Sequence, residues 1–251
     1  MHSAYELAAL AELQHWRERM LRKPGIWNRA TQSVQRKLNS YIPEKVHVAM
    51  TAVIRQMTQT VITGSNFVAA PPLLQGDLET RERLVLARID VYRKTAAIEG
   101  GVTGAGGFLL GLADFPLLIS IKLKLLFDIA GLYGYSAAEY QERVYLLSVF
   151  QLAFSGDAHR RDVYLRMADW ERERALLPPA IDDFDWRSFQ QEYRDYIDMA
   201  KLAQLVPLIG APVGLVVNNH LVQLLGRTAM NSYRMRWFAR EPSMATQVVT
   251  Q

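Results

Sequence analysis

Between Ala96 and Tyr133 the chain reads AAIEGGVTGAGGFLLGLADFPLLISIKLKLLFDIAGLY, a glycine-studded apolar stretch that runs straight into a long apolar helix. Few folds have room for such a piece. Small residues four apart, Gly100 with Gly104 and Gly107 with Gly111, let helix backbones approach closely. From Phe115 to Tyr133 the only charges are Lys122, Lys124 and Asp128, and a helix apolar on most sides needs neighbours on several faces. Asp114 ahead of Pro116 suits an N-cap followed by a proline-tolerant first turn. The glycines do not make a phosphate loop: no Gly-Lys-Ser/Thr follows them, and position 109 is Leu where a dinucleotide fingerprint needs glycine.

A second segment of the same kind runs from Leu208 to Gly214, with Gly210 and Gly214 again four apart. The two segments are expected to be helical bends that face one another. Elsewhere, apolar residues recur at helical spacing. A helix is expected to about Ile62, with Val46, Met50, Val53, Ile54, Met57 and Val61 on its apolar side. Asp77 is placed to cap the helix that leads to Glu99. Gly134 should stop the apolar helix, and Ser136 to Glu139 reads as a capping box that starts the next. Residues 158–177 are densely charged with both signs, as on a solvated helix, and the last helix runs from about Pro212 to Phe238. No strand-like alternation of convincing length occurs. The expected fold is all-α: one domain over residues 1–251, a multi-helix bundle around a buried apolar helix, with amphipathic basic helices at 1–41 and a flexible tail at 242–251.

The charge is unevenly spread. Overall it is +4, yet from His15 to Lys37 seven cations stand against Glu18 alone. On a helical wheel, residues 4–23 gather Leu7, Ala9, Leu10, Leu13, Trp16, Met20 and Leu21 on one half. Glu12, His15, Glu18, Arg19, Arg22 and Lys23 fall on the other. A helix like this either packs on its own domain with a solvated basic face or lies on a membrane. In the second case Trp16, Arg19, Arg22, Lys23 and Trp27 form the membrane or partner surface. The chain has no cysteine, which excludes disulfides and thiolate chemistry, and its first twenty residues lack the apolar core of a secretory signal. A cytoplasmic location follows as the simplest expectation. Gly100 to Ala113 is too short for a membrane span. Leu202 to Gly226 is uncharged but interrupted by Pro207, Pro212, Asn218, Asn219, His220 and Gln223, so interior helices are the preferred reading over insertion of either segment.

Three polar residues interrupt apolar surroundings: Glu99, Asp114 and His220. Converging on one cavity they would make an acid–base set; otherwise Asp114 is a cap, Glu99 a helix-end residue and Asn218, Asn219 and His220 a hydrogen-bonded core network. The second reading is favoured. There is no Gly-x-Ser-x-Gly elbow and no His-Glu-x-x-His helix. Neither a metal nor a cofactor is expected, and the mixed charges of 158–177 speak against a nucleic-acid partner.

With these segments in view, the chain resembles the EcsC family of bacterial proteins. The resemblance rests on Glu99-Gly100-Gly101 and the glycines after it, and on the run from Ala113 to Leu118. Ile129 to Tyr135 and Val206 to Asn219 complete it, over roughly Trp16 to Phe238. It implies an all-α fold. The founding member is encoded beside an ABC transporter, which implies work at the cytoplasmic face, peripheral to the inner membrane, with a membrane transporter as candidate partner. The resemblance carries over no catalytic residue. The leading expectation is therefore a non-enzymatic, membrane-associated helical protein that binds lipid or a membrane-protein partner. The alternatives are a hydrolase or lipid-modifying enzyme built on Glu99, Asp114 and His220, and a membrane-inserting perforator.

Overall fold

The computed structural model describes residues 2–22, 44–63, 71–105, 115–179, 183, 185 and 210–240. For 44–47, 49, 50, 62, 63, 96–105, 115, 157, 158 and 210–217 only the backbone is described. Among the described residues all regular structure is helical: α1 (Ala4–Leu21), α2 (Glu44–Thr63), α3 (Leu78–Ala105), α4 (Phe115–Leu132), α5 (Tyr140–Phe154), α6 (Asp157–Ala168), α7 (Trp170–Leu176) and α8 (Gly210–Ala239). The expected helix up to Tyr41, the 242–251 tail, Lys23, Trp27, Gly107, Gly111 and Asp114 lie outside the described residues.

Local chemistry explains most helix ends. Ser3 opens α1 as a capping box, its Oγ accepting from the Glu6 N–H while the Glu6 carboxylate accepts from the Ser3 N–H. Asp77 caps α3 as expected, its Oδ1 accepting from the Thr80 N–H at 2.9 Å. Beyond α4, Gly134 adopts φ +88°, the left-handed conformation that favours glycine. There the Tyr135 N–H reaches Ala130 O and the Gly134 N–H reaches Gly131 O, a Schellman arrangement that satisfies the last carbonyls of α4.

Two expected ends differ. Ser136 to Glu139 forms no capping box: α5 starts at Tyr140 with Glu139 as an N-cap that makes no side-chain bond. Instead Arg143 Nη1 donates to the carbonyls of Ala137 and Ala138 at 2.9 and 2.7 Å and holds the turn. The charged stretch after Gly156 is two helices rather than one, broken at Asp169 (φ −106°, ψ 40°). The break turns Trp170 inward, where its ring packs 4.9 Å from that of Tyr145.

α4 is buried on most sides as its composition requires, with Leu123, Leu125, Leu126, Ile129 and Ala130 all at 2% exposure or less. It packs on α2, α3, α5 and α8. The axis of the bundle is nonetheless α8, which touches α1, α3, α4 and α5. Its longest pairing is with α3 and is antiparallel, since Glu82 meets Arg234, Ile89 meets Gly226 and Arg93 meets Asn219. α1 also runs antiparallel to α8, through Glu12 with Arg234 and Glu6 with Trp237. The buried apolar side chains of these helices form one contiguous cluster.

Candidate functional site

The arginine-bearing end of the first helix and the last helix come together along one wall of a cleft. Its volume is about 710 Å³, within the range of roughly 300–1,000 Å³ common for ligand pockets. On α1, Glu12, His15, Trp16, Arg19, Met20 and Arg22 face it; on α8, Leu224, Arg227, Asn231 and Arg234 do so at intervals of three and four residues, one side of a helix. Leu152, Ala153 and Arg160 close the far side. The cleft is thus cationic at the rim and apolar on the floor.

Its charges are not equivalent. Arg234 is a structural cation: Nε and Nη2 grip both oxygens of Glu82 at 2.6 Å, and Nη1 reaches Glu12 at 2.8 Å. Glu82 also accepts from the hydroxyls of Tyr5 (2.8 Å) and Tyr133 (2.9 Å), so this buried carboxylate of α3 meets donors from α1, α8 and the turn after α4. Burial alone would lower the Arg234 guanidinium; its hydrogen bonds and attraction to Glu82 outweigh that and raise it. Burial, and then its bond to Glu82, push the Tyr5 hydroxyl up to about 12. Arg19, Arg22 and Arg227 are exposed, and among the described residues no carboxylate pairs with them.

A second buried pair lies two residues along α8. Arg236 Nη1 donates to both oxygens of Glu142 at 3.0 and 2.8 Å, and its guanidinium sits 3.7 Å from the Tyr135 ring centre and 4.5 Å from that of Tyr145. This pair fastens α8 to α5 as Arg234 fastens it to α3 and α1.

The residues singled out in the sequence lie partly within the described residues and partly outside them. Trp16 is buried at 5% exposure, its ring edge-on to Tyr164 at 5.6 Å, so it forms the cleft floor and does not stand out as a headgroup anchor. Arg19 and Arg22 lie on the rim. His220 is exposed on α8. Glu99 lies in α3 with its side chain outside the described set, and Asp114 is outside it altogether. Asn218 accepts from buried Lys122 Nζ at 2.7 Å and Asn219 from Arg93 Nε at 2.6 Å, so each amide holds a cation from a neighbouring helix. Gly100 and Gly104 lie in α3, and Gly210 and Gly214 in α8, the two helices of the longest pairing. Among the described residues no group of His, Asp and Glu could hold a metal ion, and no helix is long and apolar enough to cross a membrane. Sequence reasoning missed Arg227 and the partnership of Glu82 with Arg234; the three- and four-residue spacing of Arg227, Asn231 and Arg234 was the available signal.

Comparison with known proteins matches residues 8–238 to the EcsC protein family. The chain is 42% identical over 228 residues to protein EcsC of Bacillus subtilis strain 168, covering 90% of this chain and 94% of that one. It is 25% identical over 247 residues to the uncharacterised protein YdbA of the same organism, covering 90% of each. No solved structure matches.

Proposed function

The chain belongs to the EcsC family, and from that premise we propose that it works at the cytoplasmic face of a membrane as a non-enzymatic peripheral protein that holds anionic lipid. The observation that carries this reading is the set of exposed arginines Arg19, Arg22 and Arg227 around one cleft whose floor is apolar. Cations over apolar surface suit the boundary between headgroups and acyl chains, where attraction to anionic lipid adds to apolar burial. α1 remains folded on the body in this reading, since Tyr5, Glu12 and Arg17 tie it to Glu82, Arg234 and Tyr164. Its inner stripe of Ala9, Leu13 and Trp16 stays in the core, and the polar face makes the contact.

Vesicle flotation tests the proposal. The chain is expected to float with vesicles containing anionic lipid and to stay behind with purely zwitterionic ones. Replacing Arg19, Arg22 and Lys23 by Gln should abolish the difference. Equal behaviour with both vesicle types, or an unchanged difference in the variant, would sink it.

A further inference from the structure

The charge within the cleft narrows the headgroup. Arg19, Arg22 and Arg227 supply three positive charges unmatched by carboxylates of the described residues. Behind them, Glu12, Arg234 and Glu82 form a triad with one net negative charge. The excess is two positive charges. A headgroup with a single phosphodiester would leave half of that uncompensated.

Hydrogen-bond chemistry points the same way. Guanidinium groups offer only N–H donors, in a planar fork that matches the oxygens of phosphate. The wall also holds an acceptor: Asn231 is 9% exposed, its Nδ2 donates to Arg227 O, and its Oδ1 is buried with no donor. An ionised phosphate cannot satisfy it, whereas a hydroxyl can. The apolar lining of Trp16, Met20, Leu152 and Leu224 suits the first carbons of lipid chains.

We propose that the cleft binds one lipid headgroup made of two phosphates joined by a hydroxyl-bearing linker, the chemistry of cardiolipin, with the start of its acyl chains on the apolar floor. This rests on the membrane-surface reading above and adds selectivity to it. Arg227 and Asn231, one turn apart on α8, are the residues that distinguish the headgroup, and Arg19 and Arg22 supply attraction that any anionic surface would share.

The test compares vesicles matched in surface charge, one set containing phosphatidylglycerol and the other half as many molecules of cardiolipin. The full chain is expected to bind the cardiolipin set about tenfold more tightly, the margin that separates a fitted headgroup from a diffuse field. Arg227→Gln should lose that margin while binding to phosphatidylglycerol weakens only by the roughly fivefold that removal of one surface cation costs, with an unchanged thermal melt showing that it is folded. Equal affinity for the matched sets overturns the headgroup proposal and leaves the membrane-surface reading standing. Failure to bind either set removes both. A margin that survives in Arg227→Gln places selectivity outside this cleft and overturns the assignment. Soluble inorganic diphosphate, titrated without vesicles, distinguishes the source of the anion: binding as tight as to cardiolipin vesicles would overturn the lipid part of the proposal.

Discussion

A β-carbon added at Gly226 would lie 2.7 Å from both Cδ1 and Cγ1 of Ile89, so α3 and α8 approach each other by the width of a missing methyl group. Alanine in a helix interior is ordinarily favoured over glycine by about 0.5–1 kcal/mol. Overpacking a well-filled site costs about 1–3 kcal/mol, and at this distance the clash outweighs the propensity. Gly226→Ala is expected to destabilise the chain. In an Ile89→Ala background the same change should be neutral or stabilising, because the new methyl enters the space Ile89 leaves. Denaturant unfolding of the four proteins gives the coupling. A substitution with the same sign in both backgrounds would show that Ile89 does not limit the approach.

The pairing of Arg234 with Glu82 predicts a second cycle. Arg234→Met strands a carboxylate whose side chain has 0% exposure, with only the Tyr5 and Tyr133 hydroxyls as donors. Breaking one partner of a buried pair costs about 3–5 kcal/mol. Combining it with Glu82→Gln should recover most of the loss, since the neutral amide removes the stranded charge, its oxygen accepts from one tyrosine hydroxyl and its NH2 donates to the oxygen of the other. Glu12→Gln should change stability by less than about 1 kcal/mol, as its side chain is 65% exposed and screened by water. Urea melts rank the three, and a cost for Glu12→Gln equal to that of Arg234→Met would contradict the assignment.

Tyr5 predicts a pH dependence on the alkaline side. Burial and the bond to Glu82 raise its hydroxyl from 10.0 to about 12, so folding favours the protonated form. The stabilisation is fully present below 10.0, the ordinary value, and is lost as pH rises through about 12. Tyr133 is raised by burial and by the same carboxylate and adds to the slope. Tyr5→Phe is expected to be less stable at neutral pH and to lose stability less steeply between about 10 and 12 than the parent. Parallel curves for the two proteins across that window would exclude Tyr5 from the alkaline transition.

Helical spacing, the cap at Asp77 and the stop at Gly134 were all legible in the sequence, because each depends on residues a turn or so apart. The inward charges were not read, though their positions give them away. Glu82 falls in the stripe of Leu78, Val85 and Ile89, and Lys122 in that of Leu118, Leu125 and Ile129, all buried. A charge at a core position is a sign of a partner on another helix, but the chain does not say which helix: Arg234 lies 152 residues from Glu82. The Ser136 to Glu139 turn misled for a related reason, since Arg143 binds its carbonyls and takes over the work of a cap. The basic cleft is legible only in halves, one on α1 and one on α8, and needs their antiparallel packing to become a site.

That packing also separates function from stability on α1. Arg19 and Arg22 are exposed, and surface substitutions away from special features change stability by no more than about 0.5 kcal/mol. On the membrane-surface reading each contributes about 1 kcal/mol of attraction to an anionic bilayer. Arg19→Gln with Arg22→Gln should therefore weaken vesicle binding about thirtyfold while leaving the melt almost unmoved. Added salt should weaken binding of the parent steeply, as the Debye length shrinks from about 10 Å at 0.1 M toward 3 Å at 1 M. Trp16→Ala should behave in the opposite way. Its indole is buried against Tyr164, so truncation costs about 3–5 kcal/mol of stability, and any loss of binding follows from unfolding. A vesicle titration and a thermal melt on both variants decide the matter: a large stability loss in the double arginine variant, or a stable Trp16→Ala that no longer binds, would reverse the roles assigned to the two faces of α1.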